Sequence, residues 1–82
     1  QLGLGRAFVY AGRYAEGAAQ LNRVLAAQPN NAAALEALAL AQSQTSPRAA
    51  LSTYARLLPL QSGAARAQTL VSIADLRAAQ ND

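Results

Sequence analysis

Apolar side chains along this chain recur every three or four residues, while β-branched residues are few and never alternate over the length of a strand, a pattern that predicts helices. Ala, Leu, Gln and Arg, all good helix formers, fill the intervals. Punctuation divides the pattern into five segments. The first, about 2–11, stops at Gly12, a residue that takes the left-handed conformation at a helix end without a Cβ clash. The second, about 14–27, sets Tyr14, Gly17, Leu21, Val24 and Leu25 on one face, and Pro29 prevents its continuation. Asn30 or Asn31 caps the third, about 32–44, whose apolar contacts are Leu35, Leu38 and Ala39. Ser46 as N-cap with Pro47 at the first helical position opens the fourth, about 47–58, which presents Ala50, Tyr54, Leu57 and Leu58 together and ends at Pro59. Ser62 caps the fifth, about 63–80, with Leu70, Ile73 and Ala74 on its buried stripe.

Connections this short favour antiparallel neighbours, so the segments pair as helix hairpins. A single hairpin cannot cover its own apolar stripe, which is the physical reason such units occur in rows. The chain shows a row of this kind. The turn at Gly12 recurs at Ser46 and again near Asn81, and Leu4-Gly5 recurs at Leu38-Ala39 and Ile73-Ala74, at intervals of 34 and 35 residues.

A period near 34 with two helices per unit is what the tetratricopeptide repeat requires. The first unit resembles that family in order and spacing: Leu4-Gly5-Arg6-Ala7-Phe8 in its first helix, then Gly12-Arg13-Tyr14, then Gly17, Leu21, Val24 and Pro29. In the family motif the small residue after Leu lets two helix backbones approach, the aromatic fills the space between them and Pro closes the unit. Gly5, Phe8 and Pro29 match those roles, and Gly17 stands where a small Ala is usual. The second unit is looser. Leu35 replaces the usual Trp, Leu38-Ala39 keeps the large-small pair, Gln42 sits where an aromatic belongs, and the Ala50 to Tyr54 spacing returns after a one-residue deletion. Pro59 arrives early, with Ser62 in the usual closing place, so the loop 59–62 is expected to be irregular. The third unit keeps Leu70, Ile73 and Ala74 in register but has Arg77 in the aromatic position.

The resemblance implies an all-α fold of antiparallel helix hairpins stacked as a right-handed superhelix, with five helices in about two and a half repeats. Residues 1–31 form a partial first repeat, 32–66 the second, and 67–82 the first helix of a third. The missing initiator Met and the helical pattern already under way at Leu4 suggest a segment of a longer array.

A chain of 82 residues hides only about 60% of the surface it exposes when unfolded, so its core is modest. With no Cys and no His, neither a disulfide nor the usual zinc site is available to staple it. All seven basic residues are Arg, set singly at Arg6, Arg13, Arg23, Arg48, Arg56, Arg66 and Arg77. A net charge of +3 spread in this way reads as solvated helix faces rather than the clustered charge of a nucleic-acid surface. No apolar run approaches the roughly 18 residues that cross a bilayer.

Catalytic chemistry finds little to stand on. The acids are Glu16, Glu36, Asp75 and Asp82, none of them a close sequence pair suited to acid/base work. Ser43, Ser46, Ser52, Ser62 and Ser72 lack a His, Cys or Lys partner to activate them. Gly3, Gly5 and Gly12 follow no strand and precede no Lys, so they are not a phosphate loop. Tyr14 and Tyr54 fall on buried stripes, where filling space explains them better than stacking on bases. No enzyme, metal or cofactor is expected.

Function then resides in a surface. In the family it resembles, the first helix of each pair lines a concave groove, which would take Leu2, Arg6, Val9 and Tyr10 from the first unit. Ala33, Glu36, Leu40 and Gln44 would come from the second, and Val71, Asp75, Ala78 and Ala79 from the third. Such a lining suits an extended or helical peptide held by a few charge-assisted bonds, with Arg6 and Tyr10 the preferred contacts. The expected role is a protein-binding scaffold; a structural spacer that binds nothing is the alternative, and an Arg-mediated nucleic-acid module a third. Self-association through the open ends of the array is a further expectation. The Ala- and Arg-rich composition is similar to that of repeat arrays in bacterial exopolysaccharide secretion proteins of the cellulose and Pel kind. That resemblance implies a role in biofilm export and a periplasmic location; without it, the bacterial cytoplasm is expected.

Overall fold

A computed structural model describes residues 2–80. Within them the chain is all-helical, in five α-helices and one 3-10 turn: α1 (Leu2–Tyr10), α2 (Tyr14–Ala27), α3 (Ala32–Thr45), α4 (Pro47–Leu57), the 3-10 turn Leu58–Leu60, and α5 (Gly63–Gln80). The turn expected near Asn81 lies outside the described residues.

The breaks fall where backbone chemistry requires them. Gly12 adopts φ 82°, and the Arg13 amide donates to the Phe8 carbonyl at 2.8 Å, which turns the chain back on itself between α1 and α2. Asn31, in extended backbone, caps α3 by accepting the Ala34 amide at 3.0 Å. Ser46 alone separates α3 from α4; it precedes Pro47 as expected, but its side chain makes no capping bond. A proline at the first helical position removes one orphan donor and presets φ, so less is left for the serine to satisfy. Pro59 does end α4, yet the chain continues through Leu58–Leu60 as a 3-10 turn, and Leu58, expected in the helix core, is only half-buried in it.

Helices α1 and α2 run antiparallel. Gly5 meets Leu21 while Val9 meets Gly17, so the numbering rises on one helix as it falls on the other. A β-carbon on Gly5 would stand 2.7 Å from Leu21 Cγ, and one on Gly17 only 2.8 Å from Val9 Cγ2. Both positions therefore need glycine for the axes to come this close.

Helix α3 is the centre of the molecule, in contact with α1 and α2 on one side and α4 on the other. Ala34, Leu35, Ala37, Leu38, Ala39 and Ala41 are all buried, and with Val9, Leu21, Leu25, Ala50, Tyr54 and Leu57 they form one core. So many alanines let α3 be wrapped closely on several sides without large voids. Thr53 is buried in α4, and its hydroxyl lies within hydrogen-bond reach of both the Gln42 side-chain oxygen and the Ala49 carbonyl. One hydroxyl proton cannot serve both, so the arrangement closes when the Gln42 amide is turned to donate to Thr53 while Thr53 donates to Ala49. Gln42 thus ties α3 to α4 by polarity instead of bulk.

Several expected core positions are not buried. Leu4 is 44% exposed, since no helix among the described residues covers that face of α1. Leu70 is 47% exposed and Ala74 is exposed, while Ile73 is half-buried. The face that α5 turns inward is Thr69, Ser72, Ile73 and Leu76, offset by about one residue from Leu70, Ile73 and Ala74. The cause lies upstream. The 3-10 turn and the positive φ of Gly63, 60°, set the rotation of α5, and Thr69 fixes it by bonding to Gln61. Phe8 and Tyr14 are half-buried, and Pro29 is exposed, with its carbonyl accepting from Arg56 at 3.4 Å.

Candidate functional site

Helix α3 is wrapped on most sides, but Ala33, Glu36, Leu40 and Gln44 form one exposed stripe at helical spacing. This stripe borders a trough with three hollows. The first lies between α1 and α3, has a volume of about 100 Å³ and is lined by Arg6, Val9, Tyr10, Ala33, Glu36, Ala37 and Leu40. The second, about 220 Å³, lies between α3, α4 and α5 and is lined by Glu36, Leu40, Tyr54, Ala65, Gln68, Thr69 and Ser72. The third, about 270 Å³, takes Leu40, Ser43, Gln44, Tyr54, Ser72, Asp75 and Leu76. Glu36 and Leu40 belong to both the first and second hollows, so they form the ridge that the trough crosses.

Eight of the twelve residues assigned to the groove from sequence line this trough: Arg6, Val9, Tyr10, Ala33, Glu36 and Leu40 share the first hollow, and Gln44 and Asp75 share the third. Val9 differs from its expected place on the wall. It is 4% exposed and forms the floor, since its methyl packs against Gly17. Leu2 is not in the trough; it lines a separate hollow with Val24 and Ala27 near the end of α2. Val71, Ala78 and Ala79 line none of these hollows, and the α5 wall is instead Gln68, Ser72 and Asp75. The rotation of α5 accounts for this. The spacing of Thr69, Ser72 and Leu76 carried the signal, masked because a Thr and a Ser do not read as an inward face.

The wall at α1 is built from two side chains. The Arg6 guanidinium donates to the Tyr10 hydroxyl at 3.4 Å, a pair four residues apart on one helix face. That bond holds the Arg6 guanidinium above its usual range, with the Glu36 carboxylate across the hollow acting in the same direction. Tyr10 is 71% exposed, an aromatic ring in contact with water beside an apolar floor. The first hollow is far smaller than the roughly 300 Å³ at which small-molecule sites begin, and it matches single side chains better than a cofactor.

Among the described residues no group of three or more His, Cys, Asp or Glu side chains is placed to hold a metal ion, and no helix is long and apolar enough to cross a membrane. Compared with known proteins, the chain matches no family model, no curated protein and no solved structure.

Proposed function

We propose that this chain is a protein-interaction module that binds a peptide or a partner protein segment along the trough across α1, α3 and α5 and catalyses nothing. The observation that carries the reading is the first hollow: an apolar floor of Val9, Ala33 and Ala37 beside Leu40, walled by Arg6 and Tyr10 on one side and Glu36 on the other. Exposed aromatic and Arg side chains next to an apolar pocket are the residue types that dominate binding energy at protein interfaces. The repeat interval of 34 residues, the antiparallel α1–α2 pair and the contact of α3 with both of those helices support a tetratricopeptide-like stack as the frame. In such a stack first helices line one face, which is why residues 34 apart, such as Arg6 and Leu40, reach the same hollow.

The Ala- and Arg-rich composition extends the proposal to an exopolysaccharide export scaffold as host. A signal peptide and an outer-membrane barrel in the same gene product are the expected finding. The binding proposal is tested by affinity capture with the wild type against the double variant Arg6→Glu, Tyr10→Ala, followed by titration of any captured protein in purified form. A saturable partner whose affinity falls at least tenfold in the variant supports the module. Absence of any partner, or binding indifferent to the pair, leaves a spacer.

A further inference from the structure

The trough and the rest of the surface differ in sign. The chain carries a formal charge of +3, yet its trough is lined by one Arg and two carboxylates, Arg6 against Glu36 and Asp75, a formal charge of −1. Arg13, Arg23, Arg48, Arg56, Arg66 and Arg77 line none of the three hollows. Three of these are engaged elsewhere: Arg13 with Glu16, Arg56 with the Pro29 carbonyl and Arg66 with the Leu58 carbonyl. Glu36 and Asp75, by contrast, are exposed and make no ion pair among the described residues. The one cation among the residues lining the three hollows, Arg6, already donates to Tyr10. Carboxylates held open on an apolar trough, on a molecule otherwise basic, select a cationic ligand.

Resting on the peptide-binding reading above, we infer that the trough's occupant is a basic peptide segment. One apolar side chain enters the hollow floored by Val9 and Ala37, and Lys or Arg residues that follow lie over Glu36 and Asp75. The order of the wall fixes the direction. The α1 side, closed by Arg6 and Tyr10, repels a cation, so the basic residues lie toward α5. An acidic segment meets the reverse pattern and is excluded from the α3–α5 part of the trough. Such contacts are solvent-exposed, so they set specificity and salt dependence more than they set affinity.

The test uses an array of nonapeptides with a central Leu, Ile, Val or Phe, flanked on one side by Lys or Arg, by Asp or Glu, or by Gln or Ser, with the best binders titrated in solution. Basic peptides should bind best, should lose affinity as ionic strength rises, and should weaken about threefold to tenfold with Glu36→Gln plus Asp75→Asn. Leu40→Gln, which removes apolar surface without adding charge, should weaken all peptides alike. If neutral or acidic peptides bind equally well and respond to Leu40→Gln but not to the carboxylate variants, the charge inference is overturned and the groove reading survives. If no peptide responds to Leu40→Gln either, both fail. A concentration-dependent dimer of the protein, dispersed by Glu36→Gln plus Asp75→Asn in sedimentation, assigns the trough to a second copy's arginines and overturns the partner peptide.

Discussion

Gly5 and Gly17 face each other across the α1–α2 contact so closely that a methyl group on Gly17 would stand 3.0 Å from the Gly5 carbonyl oxygen and 3.2 Å from the Val9 amide nitrogen. These neighbours are backbone, which cannot turn aside as a side chain would. Alanine in place of a helical glycine ordinarily stabilises by about 1 kcal/mol, while overpacking a tight contact costs about 1–3 kcal/mol. At Gly17 the second effect should win, with Gly17→Ala lowering stability by up to about 2 kcal/mol. Gly3 is the control, because nothing lies within 4 Å of a β-carbon there. Gly3→Ala should stabilise. Chemical denaturation of the two variants in parallel checks both signs, and a stabilised Gly17→Ala would mean that the helices do not approach this closely.

Helix positions were legible in the sequence because Gly12, Pro29, Asn31, Pro47 and Pro59 act through local backbone chemistry that needs no tertiary context. Helical periodicity gave Leu21 and Leu25 in α2, Leu35, Leu38 and Ala39 in α3, and Ala50, Tyr54 and Leu57 in α4, but not the burial of Ala34, Ala37, Ala41 and Thr53. The face of α5 was not legible in this way. Its rotation is set by a 3-10 turn and by the Thr69–Gln61 bond, and neither leaves an apolar signature. The trough was readable to the extent that Arg6 and Leu40, 34 residues apart, line one hollow; Gln68 and Ser72 were hidden by that same rotation.

Leu4 and Leu38 lie 34 residues apart, but the second is 2% exposed and the first 44%. Leu38→Ala deletes methyl groups from the middle of the core and should cost about 2–5 kcal/mol, the range for leucine truncation in a packed interior. Leu4→Ala should fall within about 0.5 kcal/mol of wild type. Thermal melts on the two proteins measure the contrast. A large loss at Leu4 would show that something covers that face in solution, and its dependence on protein concentration would identify a second copy.

Thr53 and Gln42 form a polar tie inside an otherwise apolar contact between α3 and α4. Thr53→Val keeps the shape and removes the hydroxyl, leaving the Gln42 amide without its partner, at a cost of about 1–2 kcal/mol. Replacing both, as Thr53→Val with Gln42→Leu, should recover much of that loss, because no polar group is then stranded. The double-mutant cycle is the relevant measurement. Additive losses would mean that the two side chains are not coupled.

Helix α5 is the longest and the least anchored. Thr69 is its one buried residue, Ile73 and Leu76 are half-buried, and Leu70 and Val71 stand 47% and 53% exposed, so little apolar area resists its detachment. Its polar attachments reach only the connection that precedes it, with Arg66 donating to the Leu58 carbonyl at 3.0 Å and Thr69 bonded to Gln61, both in its N-terminal half. Opening free energies differ across a structure according to such contacts. Amide hydrogen exchange should therefore show the second half of α5, from Ile73 to Gln80, losing protection first. Thr69→Ala should extend that loss to the whole helix while leaving α3 protected to the global limit. Uniform protection from α1 through α5 would mean instead that α5 unfolds with the core as one cooperative unit. In that case Thr69→Ala would destabilise every helix equally.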